Sequence, residues 1–161
     1  MKVLVVSCHP LEESFSAHLR ARALRVLSVS HDVRHLDLYA EEEGLDRAGQ
    51  LAWANALVLM YPTWWSSLPA PLLDWIDRCW SARHRYPELK KIVAVTTHGS
   101  SWPINFVEGE VGRRVVMRGL GGRAHRRCRR RWISLYNLDR STEARRRQFV
   151  EKVERELAGL A

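Results

Sequence analysis

The chain has 161 residues, of which 46% are hydrophobic and 27% are charged, with a net charge of +8, and this composition is that of a globular protein. No apolar stretch approaches the ~18 residues of a membrane-spanning helix, and residues 1–6 lack the apolar region of a signal peptide, so we expect a cytoplasmic chain that forms one domain over residues 1–161. Cys8, Cys79 and Cys128 are odd in number and widely spaced, which argues against a disulfide framework or a zinc site.

Strands and helices alternate in the first half of the chain. Residues 2–7 are apolar and β-branched, which predicts a strand buried on both faces. Ser14 is a good helix cap, and the helical spacing of apolar residues from Phe15 to about Val29 predicts the first helix. The next predicted elements are a strand near an edge at residues 33–38, a short helix at 47–55, an apolar strand at 56–61 and a helix from about 69 to 82.

The same alternation continues in the second half. A strand is predicted at residues 92–96, a loop follows it, and residues 109–119 are predicted to be helical with Val111, Val115 and Val116 on one side. The last predicted elements are a strand at 130–135 and a helix that Ser141 caps and that runs to about Leu157. This alternation predicts an α/β fold with five parallel strands in the order 2-1-3-4-5 and helices on both faces.

Charge is unevenly distributed along the chain. Residues 1–80 carry 7 basic and 10 acidic side chains, net −3, whereas residues 81–161 carry 19 and 8, net +11. Nine arginines fall between Arg113 and Arg131. Three interpretations stay open: an arginine-rich composition without a function, since 22 of the 26 basic residues are arginine; a site for the phosphates of a nucleotide cosubstrate; and a nucleic-acid surface.

In the predicted strand order, the loops after strands one, three and four lie side by side at the carboxyl edge of the sheet, where ligands of such folds bind. The first of these loops places His9, Ser14 and Ser16, with free backbone N–H groups, at the start of a helix, which favours binding of an anion. An ordinary helix cap explains Ser14 equally well. The loop has no glycine-rich dinucleotide fingerprint and no Walker sequence.

Two adjacent tryptophans, Trp64 and Trp65, follow the third predicted strand between Pro62 and Pro69. Tryptophans are usually largely buried in a core. A short loop between prolines is nevertheless a poor place to bury two indoles, and stacking against a conjugated ring uses them better. We therefore interpret this loop as a platform for a flat ligand.

The loop after the fourth strand contains Thr96, Thr97, His98 and Gly99. Glycine permits close backbone approach, and hydroxyl and N–H groups offer donors to the carbonyl oxygens and ring nitrogens of a ligand. The side chain of His98 is either structural or catalytic, and a lone histidine is more often structural. An anion site, an aromatic wall and a donor-rich loop at one edge together fit flavin mononucleotide, FMN.

Four motifs share the first hundred residues. They are His9-Pro10 with Ser14-Phe15-Ser16-Ala17, Tyr61-Pro62-Thr63-Trp64-Trp65 with Pro69-Ala70, Trp75-Ile76-Asp77-Arg78, and Thr96-Thr97-His98-Gly99. In this order and spacing they resemble the flavodoxin-like NAD(P)H:quinone oxidoreductase family. The resemblance implies that the flavin's phosphate and ribityl end is held by His9, Ser14, Phe15, Ser16 and Ala17, its ring by Pro62, Thr63, Trp64 and Trp65, and its polar edge by Thr96, Thr97, His98 and Gly99.

The resemblance also implies an activity. It implies a homodimeric, flavin-dependent enzyme that transfers hydride from NAD(P)H through the flavin to a quinone or a similar small-molecule electron acceptor. FMN is expected rather than FAD, because a loop that would hold an adenine end is not evident. Arginines between Arg113 and Arg131 would favour NADPH through its extra phosphate.

The chain also departs from the family pattern. The family usually has two glycines after the two threonines, and His98 replaces the first. Its tyrosine and histidine that help hydride transfer have no convincing counterparts near residues 102–106, so no catalytic side chain is assigned. Two alternatives stay open. One is a flavin-binding regulatory or partner subunit without turnover of its own, and the other is a nucleic-acid-binding α/β domain. The second alternative rests on charge alone, so nucleic acid is not the expected partner.

Overall fold

The computed structural model describes residues 1–40, 46–65, 67–80 and 84–160. Within these residues, five parallel strands form one sheet in the order β2-β1-β3-β4-β5, which confirms the predicted α/β topology. The strands are Lys2–Ser7 (β1), Asp32–Asp37 (β2), Ala56–Thr63 (β3), Lys91–His98 (β4) and Arg129–Leu135 (β5).

Six α-helices connect the strands of the described residues. They are Phe15–Leu27 (α1), Arg47–Trp53 (α2), Ala70–Cys79 (α3), Trp102–Val107 (α4), Val111–Arg114 (α5) and Glu143–Ala158 (α6). A π-helical turn at Val115–Gly119 and a 3-10 turn at Leu120–Arg123 lead from α5 toward β5, and a further 3-10 turn at Leu138–Arg140 precedes α6. In the described parts of the chain, no helix combines the length and the apolar character that crossing a membrane requires.

The sheet is covered on both faces, because alternate residues of its central strands are apolar on both sides. The face under α1 and α6 is formed by Val3, Val5, Val58, Val93 and Val95. The opposite face, under α2, α3 and the turns after α5, is formed by Leu4, Val6, Leu57, Leu59 and Ile92. Arg22 of α1 also donates two hydrogen bonds to Glu154 of α6, at 2.7 and 3.1 Å, which ties the two helices of the first face together.

Strands β3 and β4 are longer than predicted. They pair in register from Ala56 with Lys91 to Thr63 with His98, beyond the point at which β1 stops pairing with β3 at Met60. Thr97 and His98 therefore belong to a strand, although the sequence predicted a loop for them. The extension occurs because each strand completes the backbone hydrogen bonds of the other at this edge.

The segment between β4 and β5 was predicted least well. The sequence predicted one helix over residues 109–119, but a helix already begins at Trp102, and a break at Gly109 and Glu110 separates α4 from α5. Both residues of the break have positive φ, 88° and 44°, which no α-helix accommodates. Val116 is buried as expected and Val115 is half-buried, whereas Val111, the first residue of α5, is exposed.

The ends of two helices differ from the prediction. Thr142, not Ser141, caps α6: its Oγ1 accepts the Arg145 N–H at 3.3 Å. The Ser141 hydroxyl instead donates to the Leu138 carbonyl, because Ser141 closes the preceding 3-10 turn. Helix α3 ends at Cys79, and the predicted extension toward residue 82 falls in residues 81–83, outside the described part of the chain.

Candidate functional site

The loops after β1, β3 and β4 lie next to one another at the carboxyl edge of the sheet. Strand β3 pairs with β1 on one side and β4 on the other, so the three chain exits are neighbours. In parallel sheets this edge is where the strand order reverses and ligands bind. The structure thus brings together the three loops that the sequence predicted as one site.

Local hydrogen bonds shape the loop after β1. Ser14 Oγ accepts the Ala17 N–H at 3.1 Å and donates to the Leu11 carbonyl at 2.9 Å, so it caps α1 as predicted. His9 Nδ1 lies 3.1 Å from both the backbone nitrogen and the carbonyl oxygen of Leu11. Both side chains therefore hold the turn, and the first N–H groups of α1, those of Phe15 and Ser16, are the ones a helix leaves without an intrahelical acceptor. An anion at this edge would meet these N–H groups first.

The two tryptophans form the tip of a short hairpin. The backbone N–H of Trp64 donates to Ser67 O at 3.2 Å, and the Ser67 N–H donates back to Trp64 O at 2.9 Å. Trp64 is 41% exposed and Trp65 is 99% exposed, while Pro62 and Leu68 at the base are buried. Neither indole fills the core, so the core-packing interpretation fails, and the hairpin presents aromatic surface at the candidate site.

Trp65 has a backbone conformation that bulky residues rarely adopt. Its φ is 49°, in the left-handed region, where a side chain costs on the order of 1 kcal/mol. The two reciprocal hydrogen bonds of the hairpin impose this conformation. In this conformation the Trp65 indole points away from the protein surface and makes almost no contact with the rest of the chain.

Threonines join the ends of β3 and β4 beneath the hairpin. The hydroxyls of Thr63 and Thr96 lie 2.9 Å apart and form a hydrogen bond. Thr96 and Thr97 are buried, while Thr63 is half-buried and borders the open edge. The Thr63 side of this pair is therefore the side that a ligand at the edge can reach.

His98 is held under this edge by Asn105 of α4. Asn105 Nδ2 donates to Ser100 Oγ and to Ser101 O, both at 2.8 Å, so its Oδ1 faces His98 Nδ1 at 2.9 Å. An amide oxygen only accepts, so His98 Nδ1 must carry the proton. His98 Nε2 is buried and has no hydrogen-bond partner among the described residues. Burial lowers the pKa of His98, while Asn105 and Glu110 oppose the shift, and the imidazole is neutral at pH 7.

Three polar side chains around His98, those of Asn105, Glu110 and Tyr136, were not identified from the sequence. The His98 ring stacks on Tyr136 with centroids 4.3 Å apart, and Tyr136 Oη donates to Glu110 Oε1 at 3.3 Å. Asn105 was missed because residues 102–107 were read as a loop. The proline at position 103 was the available signal, since prolines favour the first turn of a helix.

The His98 side chain does not lie at the open edge. As a whole residue it is 5% exposed, and its ring packs against Tyr136 and Asn105. Gly99 is exposed next to it, and a Cβ at Gly99 would lie 3.1 Å from Asp139 Oδ2. The glycine therefore lets the loop after β4 pass close to the loop after β5.

We expect His98 to make stability depend on pH. Its folded-state pKa lies below the ordinary 6.5, so the unfolded chain binds the proton more readily. The contribution of the neutral His98 side chain to the free energy of unfolding is complete above the unfolded-state pKa. It is lost as pH falls through 6.5 toward the folded-state pKa. Urea unfolding of the wild type and His98→Gln, at pH 7.5 and 5.5, measures this. The wild type should lose more stability than the variant on acidification; equal losses would contradict the assignment of a buried neutral imidazole.

Known proteins share this architecture. An NAD(P)H:quinone oxidoreductase from Methanothermobacter marburgensis superposes with a TM-score of 0.84 at 22% identity, covering 99% of this chain and 96% of that one. An FMN-dependent NADH-azoreductase from Bacillus anthracis, solved in complex with FMN, superposes with a TM-score of 0.81 at 13% identity over the full length of both chains. At these identities the likeness is one of fold.

Sequence comparison gives a narrower result. The uncharacterized NAD(P)H oxidoreductase YcaK of Escherichia coli strain K12 is 28% identical, over 56% of this chain and 58% of that protein. The chain spans about half the length of the curated relatives it matches. A family profile described as flavodoxin-like fold matches residues 1–103, which contain β1 to β4 and all three loops of the candidate site. By this match and by its strand order, the chain belongs to the flavodoxin-like fold family.

Proposed function

We propose that this chain is a flavin-dependent NAD(P)H oxidoreductase that passes hydride through bound flavin to a quinone or a similar small electrophile. The observation that carries the proposal is the exposed Trp64–Trp65 hairpin, which stands between a helix start suited to phosphate and a threonine-lined strand end. The names of the relative and of the structural neighbours, which include oxidoreductases acting with NAD(P)H and FMN, support the same chemistry.

The donor set at the edge fits a flavin mononucleotide. The start of α1, with His9, Ser14, Phe15, Ser16 and Ala17, would take the phosphate and ribityl end. The ring would be held by the second loop, through Pro62, Thr63, Trp64 and Trp65. Its polar edge would lie at the third loop, where Gly99 is exposed, while Thr96, Thr97 and His98 are buried and would support this edge from beneath. Residues 1–161 would act as one domain.

The flavin would supply the hydride chemistry, and the chain would supply binding, orientation and charge stabilisation. Backbone N–H and hydroxyl groups at the ends of β3 and β4 favour negative charge at this edge, because they are donors held in place before any ligand arrives. Asn105 and His98 keep the loop that carries Gly99 rigid. The indoles of the hairpin would exclude water from the flavin face that they cover. No side chain needs to act as a nucleophile.

We also propose a homodimer formed through the surface of α4. This helix exposes Trp102, Ile104, Phe106 and Val107, and the rings of Trp102 and Phe106 pack against each other at 5.4 Å. Contiguous exposed apolar side chains are typical of interaction sites. A second copy of the chain would cover this surface beside the candidate site.

A preference for NADPH would depend on few of the arginines. Arg113 lines a small cavity with Thr63 and His98, next to the candidate site, and pairs with Glu110 at 2.9 Å. Arg129, Arg130 and Arg131 instead begin β5 at the opposite edge of the sheet. We therefore assign any contact with the extra phosphate of NADPH to Arg113 and not to Arg129, Arg130 or Arg131.

The direct test is the absorbance spectrum and turnover of the purified chain. We expect flavin bands near ~450 nm after incubation with FMN, and consumption of NAD(P)H when a soluble quinone is added. Absence of flavin uptake would overturn the proposal. Uptake without NAD(P)H consumption would favour the regulatory or partner subunit instead.

The tryptophan hairpin should dominate flavin affinity. Trp64→Ala and Trp65→Ala should each weaken FMN binding roughly twofold to tenfold, because an aromatic stacking pair contributes about 0.5–1.5 kcal/mol. Trp53→Ala is the matched control, since Trp53 lies under Arg34 on another surface, 4.0 Å from its guanidinium. Fluorescence quenching of FMN measures the affinities. Equal losses in all three variants would mean that the hairpin does not contact the flavin.

The α4 surface should determine the oligomeric state. We expect the wild type to be a dimer by light scattering and Phe106→Glu to be a monomer, since a charge in an apolar interface is costly. Val29→Glu is the control, because Val29 is exposed after α1, away from α4. A monomeric wild type, or a dimer that survives Phe106→Glu, would contradict the assignment.

A further inference from the structure

The basic second half of the chain includes a cluster that the candidate site does not use. Lys91 and Arg129 are paired neighbours at the starts of β4 and β5, at the amino edge of the sheet. Strand β4 continues for seven residues to His98, so this cluster lies about 20 Å from the candidate site at ~3.3 Å per residue. A ligand at this cluster is separate from the flavin and from the nicotinamide cosubstrate.

Side-chain alternation directs two arginines of β5 to the same face. Arg129 and Arg131 are two positions apart, in phase with Ile133 and Leu135, which pack in the core under α6. Arg130 points to the other face, where its guanidinium donates to Met117 O at 2.6 Å. Arg129 and Arg131 are therefore directed toward the end of α6, and their Cα atoms lie about 7 Å apart along the strand.

These arginines line a groove between β5 and the last turn of α6. The groove encloses about 150 Å³, and its lining residues are Lys91, Val93, Arg129, Arg131, Glu156, Gly159 and Leu160. Val93 and Leu160 are buried and form an apolar floor. A second depression, lined by Arg131, Lys152, Arg155, Glu156 and Gly159, continues from the first.

The charge in this groove is not balanced within the described residues. Five cations from three elements line the two depressions, against the single carboxylate of Glu156. Glu156 Oε2 lies 3.7 Å from Arg131 Nε, and Lys91 Nζ donates to the Leu160 carbonyl. Among the described carboxylates, none forms an ion pair with Arg129 or Arg155. Arg129 and Arg155 therefore add positive charge to the groove that no described carboxylate offsets.

Edge protection explains part of this pattern. β5 is an edge strand, and charged side chains at an edge discourage pairing with another chain. Protection of the edge does not require cations from β4 and α6 to converge on the same groove. An arginine-rich composition does not require it either, because two of the five cations are lysines among only four in the chain.

We propose that this groove binds a small anion that carries two or more linked phosphates. Guanidinium groups bind phosphate oxygens in a bidentate manner, and several are needed to offset the charge of linked phosphates. Arg129 lines only the first depression and Arg155 only the second, so an anion that contacts both must extend from one depression into the other. The enclosed volume and the apolar floor favour a compact ligand over a polymer lying across the surface.

The test is calorimetric titration of the full chain with inorganic tripolyphosphate and with orthophosphate, at a constant ionic strength of about 0.15 M. We expect saturable binding of one tripolyphosphate per chain, at least about tenfold tighter than orthophosphate. The double variant R129Q/R131Q should weaken tripolyphosphate binding by about tenfold or more. The control R25Q/R145Q loses the same two charges from exposed positions outside the groove and should bind like the wild type.

Three results would overturn the proposal. They are no saturable binding by the wild type, equal losses in the two double variants, and binding of a single-stranded oligonucleotide without binding of tripolyphosphate. The first would mean that the groove binds no such anion, the second that net charge alone determines binding, and the third that the groove is part of a nucleic-acid surface. Circular dichroism of each variant confirms folding. FMN binding should be unchanged in R129Q/R131Q, so this proposal and the proposed function fail independently.

Discussion

The pairing of β3 with β4 is the interaction on which the rest of the structure depends. Eight consecutive residues of each strand pair in parallel register, from Ala56 with Lys91 to Thr63 with His98. The first residues of the two strands belong to the hydrophobic cores on both faces of the sheet, and their last residues extend beyond the end of β1. That extension places the tryptophan hairpin on one strand end and the loop after His98 on the other. Loss of the pairing would therefore remove the core and the candidate site together.

Burial on both faces also explains which parts of the fold were predictable. A central parallel strand must be apolar at every position, so β1, β3 and the first part of β4 are visible as unbroken apolar runs. Ser14 was predicted as a cap because capping is local. The contact between His98 and Asn105 was not predictable, because it joins a strand to a helix that the local pattern did not reveal. Val111 was expected to share one side with Val115 and Val116, but it is exposed as the first residue of α5, directly after the left-handed turn at Glu110.

The candidate site was predicted in outline and corrected in detail. The three loops meet because topology alone brings them together, and the sequence pattern specifies that topology. The orientation of a side chain within a loop depends on its neighbours in space. His98 was expected at the ligand's edge and lies instead beneath it, because Asn105 and Tyr136 offer its ring partners there. Four of the arginines also lie in two different places. Arg113 lies beside the candidate site, whereas Arg129, Arg130 and Arg131 begin β5 at the opposite edge of the sheet.

The backbone of Trp65 has a consequence for how this protein can be improved. A glycine at position 65 would adopt the observed φ of 49° without steric cost, whereas the indole makes almost no contact that stabilises the folded chain. On folding energetics alone, tryptophan is a poor choice there. Stability-based redesign would select its removal first, and would thereby delete the most exposed aromatic surface of the molecule. Thermal stability and the flavin affinity proposed for the hairpin are thus opposed at a single residue.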